Sequence, residues 1–280
     1  MSDTLLRASV YVGKGGVGKT TSTAHLGVSA VQDHGLDVLL IDLAGTQNDL
    51  AASFGLLNEV ADPDAPISAI FGDDWDFIQE NIPNVVERMI FETEEGVDLI
   101  PSDVGLSGAD NNLASVNLED RYKILDKFLT EEIAPRYNLV LMDLPGNENN
   151  IVLNGLFASE RTIVPLKPGE FERNQLSNLE NDLEEFEVDT NGEVSPVVSM
   201  VLPTMVDSVS NQSSEFVEYL SEAYPNRTST PIKDTQNIGN LQGEGRTLFA
   251  ADDDELYGTG KEARAAYREA TTKLLERLRQ

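Results

Sequence analysis

Cysteine is absent from this chain. That excludes a disulfide framework, a thiolate-ligated zinc and a cysteine-held iron–sulfur cluster. Histidine is scarce: His25 and His34 are the only two. No His/Asp/Glu spacing suggests zinc or a nucleophile–base pair. No apolar run approaches the length of a membrane span, and the N-terminus lacks a basic-then-apolar signal, so a cytoplasmic location is expected. No Ser/Gly/Pro tract and no internal repeat divides the 280 residues, which are read as one domain, 1–280. Hydrophobic residues make up 40% of the chain, enough for a substantial core.

Positive charge is the other shortage. Eight lysines and twelve arginines face 49 Asp and Glu, a net charge of −29. Disorder is one cause of such charge, but the apolar periodicity is too strong for it. Repulsion among so many carboxylates is tolerable when screened, and at molar salt the Debye length is about 3 Å. The acid excess therefore reads as adaptation to a saline cytoplasm, with a basic partner as the competing reading. Residues 246–280 carry seven basic and seven acidic side chains, so the whole net charge lies before them.

What the chain does have is a glycine loop in a telling place. Gly13-Lys14-Gly15-Gly16-Val17-Gly18-Lys19-Thr20-Thr21 follows the apolar run Ala8–Val12 and precedes apolar residues at helical spacing, Ala24, Leu26, Val28 and Val31. Strand, glycine loop and helix are the context of a phosphate-binding P-loop. The glycines let successive backbone N–H groups face an anion, and the helix N-terminus adds its dipole. Lys19 would reach the β/γ-phosphates and the Thr20 hydroxyl would bind Mg²⁺.

The helix after the loop is expected over 19–34, stopped by Gly35. Asp37–Leu43, Val97–Pro101, Leu139–Asp143, Arg161–Leu166 and Val197–Leu202 are apolar runs of strand length. Continuous apolar strands are covered on both faces. Their alternation with helical stretches, one beginning near Leu118, predicts an α/β fold: a doubly wound, mainly parallel sheet flanked by helices. Ligands then bind at the carboxyl ends of the strands, where Asp42 and Asp143 both fall.

Lys14 at the head of the loop gives Lys-Gly-Gly-x-Gly-Lys-Thr. This resembles the deviant Walker A motif of the ParA/MinD ATPases, and the ParA-type partitioning members most. The resemblance runs from about residue 7 to 279. It takes in Asp143-Leu144-Pro145-Gly146 as Walker B and switch II, Leu99–Ser102 with Leu106–Ala109, Val164–Phe171, Ile232–Thr247 and Ala265–Arg268. It implies ATP and Mg²⁺ as cofactors. Nucleotide contacts are implied from Gly15, Gly16, Val17, Gly18, Lys19, Thr20 and Thr21, with Pro203, Thr204, Met205, Lys233 and Asp234. Thr20 and Asp143 are the implied metal ligands, and Lys14, Lys19 and Asp42 the implied catalytic residues. In the family the early lysine crosses a dimer interface to the partner's nucleotide, so an ATP-dependent homodimer is expected. An activating, ParB-like or other adaptor partner is expected too. The missing cysteines argue against two relatives with similar P-loops, the nitrogenase iron protein and the scaffold ATPases of cluster assembly.

One departure matters. The family's second acid after strand 2 helps place the attacking water, and here that position is Ala44. Either Asp49 or Gln47 substitutes for it, or hydrolysis is slow.

Near the C-terminus, Lys261, Arg264, Arg268 and Arg279 share one helical stripe, while Ala263, Tyr267, Ala270, Leu274 and Leu278 form another. The basic stripe is a candidate for nonspecific, nucleoid-type DNA binding, against ordinary i,i+4 surface pairing. A MinD-type membrane-cycling ATPase needs a terminal amphipathic anchor, and Leu274–Gln280 has few large apolar residues for it, so membrane binding is not expected. A nucleotide-binding regulator with little turnover is the third reading, kept open by Ala44. His25 is read as a packing or surface residue, Trp75 and Phe77 as loop packing rather than a stacking platform, and Asp252–Glu255 as a solvated face or helix start.

Overall fold

Apolar runs too short for helices and rich in Val, Leu and Ile assemble into one seven-stranded sheet: β1 (Leu6–Val10), β2 (Val38–Asp42), β3 (Phe91–Glu92), β4 (Asp98–Ile100), β5 (Leu139–Asp143), β6 (Arg161–Leu166) and β7 (Val197–Pro203). The structure, a computed structural model, describes residues 4–45, 47–169 and 172–280, without the side chains of 172 and 173. Glu170 and Phe171, part of the segment resembling the family's strand-end proline loop, lie outside the described residues, as does Thr46. The strand order is β3-β4-β2-β5-β1-β6-β7. Every pairing is parallel except β3 with β4. That antiparallel edge was not foreseen, because a two-residue strand leaves no periodicity to read.

The helices among the described residues are α1 (Lys19–His34), α2 (Asp49–Ala52), α3 (Trp75–Asn81), α4 (Leu106–Leu113), α5 (Leu118–Arg121) and α6 (Ile124–Phe128), then α7 (Asn150–Ser159), α8 (Glu172–Asp189), α9 (Asn211–Ala223), α10 (Gln236–Gly243) and α11 (Gly258–Leu278). The first ends as expected, on Gly35 in the left-handed region with φ 63°. The helical stretch expected near Leu118 is broken into α5, α6 and a π-type turn, Leu129–Ile133.

Alternate strand side chains feed two cores. Val38, Leu40, Leu139 and Leu141 pack with α1 and α11 on one face. Leu39, Ile41, Val140 and Met142 pack with α4, α6, α7 and α8 on the other. Strands β2 and β5 are buried along their whole length, as their unbroken apolar sequence requires. Gly27 of α1 lies against Leu40: a Cβ there would stand 2.6 Å from its Cδ2. That close approach brings the helix behind the P-loop down onto β2.

The sheet order sets up the site. The strand before the glycine loop, β1, lies between β5 and β6. Val10 is in register with Asp143, and Asp143 with Asp42. Three loops therefore leave the sheet side by side at one edge, the carboxyl end of the parallel strands.

Candidate nucleotide site

The loop Gly13–Gly18 turns on two glycines in the left-handed region, Gly16 (φ 69°) and Gly18 (φ 86°), the latter directly preceding α1. A Cβ added to Gly15 or Gly16 would meet nothing within 4 Å, so both glycines border open space. Lys19 folds back over this loop, its Nζ donating to the Lys14 carbonyl at 2.7 Å. Gly146, in the loop after β5, is pressed against the same spot: a Cβ there would stand 3.2 Å from Lys19 Nζ and from the Lys14 carbonyl carbon. A side chain at 146 would crowd the ammonium. Burial lowers the Lys19 pKa, and the nearby Asp143 carboxylate opposes that shift.

Thr20 Oγ1 donates to Asp143 Oδ2 at 2.5 Å. Asp143 is fully buried, and its other oxygen, Oδ1, has no hydrogen-bond partner among the described residues. Burial first, then the Asp42 charge, raises its pKa well above the usual carboxylate range. An orphaned buried carboxylate oxygen is costly unless a cation or donor meets it. A hydroxyl and a carboxylate in contact, beside a lysine and a glycine cradle, fit a magnesium–nucleotide complex. Thr20 and Asp143 are the residues that would hold the ion, which keeps much of its water.

Asp42, expected as a catalytic acid, is placed as a brace. Its Oδ1 accepts the Ala44 N–H at 2.9 Å and its Oδ2 accepts the Leu50 N–H at 3.4 Å. Burial raises its pKa to about 6. These bonds draw the start of α2 over the end of β2. Asn48, with φ 53°, turns the chain into α2, and its side chain accepts from Ser102 Oγ at 2.9 Å. Asp49 follows, exposed, and its charge acts on both Asp42 and Asp143.

Pro203, Thr204 and Met205 end β7 beside the glycine loop. Thr204 is buried, and its Oγ1 donates to the Val17 carbonyl at 2.8 Å. A Cβ on Gly18 would touch Thr204 and Met205 at 3.8 Å. Lys233 and Asp234 are tied to this segment by backbone bonds, Val206 N to Ile232 O at 3.0 Å and Asp234 N to Val206 O at 3.1 Å. The fold thus brings residues 203–206 and 232–234 to the P-loop. The direct Thr204–Val17 bond had no sequence signal of its own, and neither did the wedge of Gly146 against Lys19.

The basic stripe of α11 is less free than its spacing implies. Lys261, Arg268 and Arg279 are exposed. Arg264, whose side chain is 13% exposed, is paired with Asp253 and donates to the Ala251 carbonyl. Arg268 is paired with Asp33 of α1 at 3.2 Å and lies over the Phe249 ring. Its partners come from other elements; the i,i+4 pair on this helix is Lys273 with Glu269. The run at 252–255 supplies counter-ions, Asp253 to Arg264 and Glu255 to Arg246. Trp75 packs edge-on to Phe128, whereas Phe77 is exposed rather than packed.

A glycine loop opening α1, with Thr20 against Asp143 at the carboxyl edge of a parallel sheet, defines a P-loop ATPase. The AAA_31 family, an AAA domain, matches residues 7–195. The chain belongs to that family and, within it, to the ParA-type ATPases. It is 27% identical over 241 residues to the sporulation initiation inhibitor protein Soj of Bacillus subtilis, covering 85% of this chain and 88% of Soj. It is 28% identical over 204 residues to the chromosome partitioning protein ParA of Caulobacter vibrioides, covering 72% of this chain and 70% of that one. Apo McdA of Cyanothece superposes with a TM-score of 0.75 at 19% identity, over 98% of this chain and 99% of McdA. Cobyrinic acid a,c-diamide synthase of Mycobacterium smegmatis, solved with ADP and magnesium, gives 0.72 at 23% identity, over 97% and 94%. These two share the fold.

Proposed function

We propose that this chain is a single-domain, Mg·ATP-dependent ATPase that dimerises on ATP and partitions or positions a cargo, DNA or another cellular body. The observation that carries this reading is the contact of Thr20 with Asp143, whose Oδ1 is orphaned, beneath a glycine loop holding Lys14 and Lys19. Lys19 binds the β/γ-phosphates and neutralises charge that builds there. The loop's backbone N–H groups cradle the phosphates. Bound magnesium would supply further neutralisation of the transferring phosphoryl group. Segments 203–206 and 232–236 border the nucleotide, with Thr204 holding the loop's shape. Lys14 acts across the dimer, as an arginine finger does, which makes hydrolysis and dimerisation one event. Ala44 offers no side-chain acceptor at the position of the family's second acid, so turnover is slower than it would be with an acid there.

The test is light scattering with calorimetry in molar KCl. Mg·ATP should convert monomer to dimer. Lys19→Ala should lose binding, while Lys14→Ala should bind ATP yet fail to hydrolyse it and dimerise weakly. A wild type that binds Mg·ATP and stays monomeric at high protein concentration would sink the dimer.

Cargo contact through DNA is proposed for the exposed cations of α11, doubled by the dimer through avidity. Because Arg264 and Arg268 hold Asp253 and Asp33, Lys261→Glu with Arg279→Glu is the cleaner charge reversal. It should remove DNA binding and leave ATP binding alone. The MinD-type alternative is disfavoured by α11, whose Leu274 and Leu275 are buried in the core. Among the described residues no helix is long and apolar enough to cross a membrane. Flotation with liposomes and ATP would reveal it.

A further inference from the structure

We propose that Asp49 is the carboxylate that orients and deprotonates the water attacking the γ-phosphate, an inference that rests on the Mg·ATP reading above. Hydrolysis needs an acceptor for a water proton at the carboxyl edge of the sheet, beyond the phosphates. Three carboxylates crowd the ends of β2 and β5. Asp143 is engaged with Thr20 and suited to the cation. Asp42 is buried, with both oxygens on backbone N–H groups. Asp49 alone of the three is exposed, and its carboxylate accepts no hydrogen bond among the described residues.

Its position is built in. Asp42 holds the N–H of Leu50, the residue next to Asp49, so the start of α2 is fastened to the end of β2. Asp42 is in register with Asp143 on the adjacent strand. Asn48, left-handed and tied to Ser102, sets the direction in which the chain enters α2. Asp49 thereby stands near the metal-binding carboxylate, close enough for its charge to act on Asp143. Ala44, pinned by its own N–H to Asp42, has only a methyl to offer. The alternative role for Asp49 is a plain one: an acid in the first turn of a short helix, favoured by the helix dipole.

In the step proposed, the water oxygen forms a bond to the γ-phosphorus as the bond from phosphorus to the β–γ bridging oxygen breaks. ADP leaves with that electron pair. The water's proton passes to Asp49 and from it to the released phosphate.

Asp49→Asn separates the roles. With the wild type in molar KCl, calorimetry measures the Kd for Mg·ATP and phosphate release gives kcat and KM. The expected result is an unchanged Kd and KM with kcat lowered about 100-fold. Restoring an acid with Ala44→Asp in the same chain should recover part of that rate, which a merely structural role would not allow. If Asp49→Asn fails to fold, Asp49→Ser, which keeps a polar helix start without the charge, replaces it with the same expectation. Wild-type kcat in the folded variant overturns the proposal. So does a parallel loss of Mg·ATP binding, which would make Asp49 part of the binding site. A wild type that binds Mg·ATP and releases no phosphate also overturns it, leaving the nucleotide reading intact. A wild type that binds no Mg·ATP fails that reading itself.

Discussion

His25 shows how a single residue ties the nucleotide helix to the rest of the fold. Its Nδ1 meets the Thr21 carbonyl at 2.7 Å, and its Nε2 accepts the Leu248 N–H at 3.2 Å. The ring stacks on Tyr267 of α11 with centroids 4.7 Å apart. One donor and one acceptor describe a neutral imidazole. Burial pushes its pKa down from 6.5 to about 4. The folded state therefore refuses a proton that the unfolded chain accepts. The stability from this group is complete above pH 6.5 and is lost as pH falls towards 4, by about 3 kcal/mol. Wild type and His25→Gln should thus diverge in slope across that window, the variant's urea stability falling less, both at fixed molar KCl. Parallel curves would mean that His25 is not held neutral.

At the scale of elements, close helix–strand approach is what holds the carboxyl edge of the sheet in place. Gly155 of α7 faces Leu144, the residue after Asp143. A Cβ there would come within 2.6 Å and 2.9 Å of the two Leu144 methyls. Leu144 is fully buried and has little room to retreat. Alanine in place of a helical glycine gains about 1 kcal/mol of propensity, whereas overpacking costs about 1–3 kcal/mol. The steric term should win. Gly155→Ala is expected to lower the urea midpoint and, by displacing Leu144, to weaken Mg·ATP binding. A raised midpoint with unchanged binding would show that α7 shifts freely. The Thr204–Val17 bond works in the opposite sense, joining β7 to the glycine loop without crowding it.

For the whole molecule the governing quantity is the charge of −29. The ion pairs among the described residues, such as Arg88–Asp64 and Arg136–Glu87, are mostly partly exposed, and such pairs contribute little each. They cannot offset the surplus of carboxylates. Screening can, so the urea midpoint should climb from low salt to molar KCl and level off once the Debye length falls to about 3 Å. A midpoint that is flat or falls with KCl would remove screening as the reason the acid excess is tolerated and favour a basic partner.

The nucleotide loop, the helix behind it and the parallel strands were legible in the sequence, because each is a local property. Glycines at 15, 16 and 18 with Lys19 and Thr20 define an anion cradle within nine residues. An unbroken apolar run such as Leu139–Met142 declares a strand covered on both faces. Asp143 was legible for the same reason, as an acid ending such a run. The role of Asp42 was not, since its partners, the N–H groups of Ala44 and Leu50, are chosen by how the loop folds back over β2. Nor was the short antiparallel β3, or the pairing of Arg264 and Arg268 with Asp253 and Asp33, which a helical wheel cannot see. Residue type and spacing by themselves determined a P-loop ATPase. Which carboxylate is spent on backbone, which meets Thr20 and which remains open to water was decided only when β2, β5 and α2 met at one edge, because those assignments depend on contacts between residues distant in the chain.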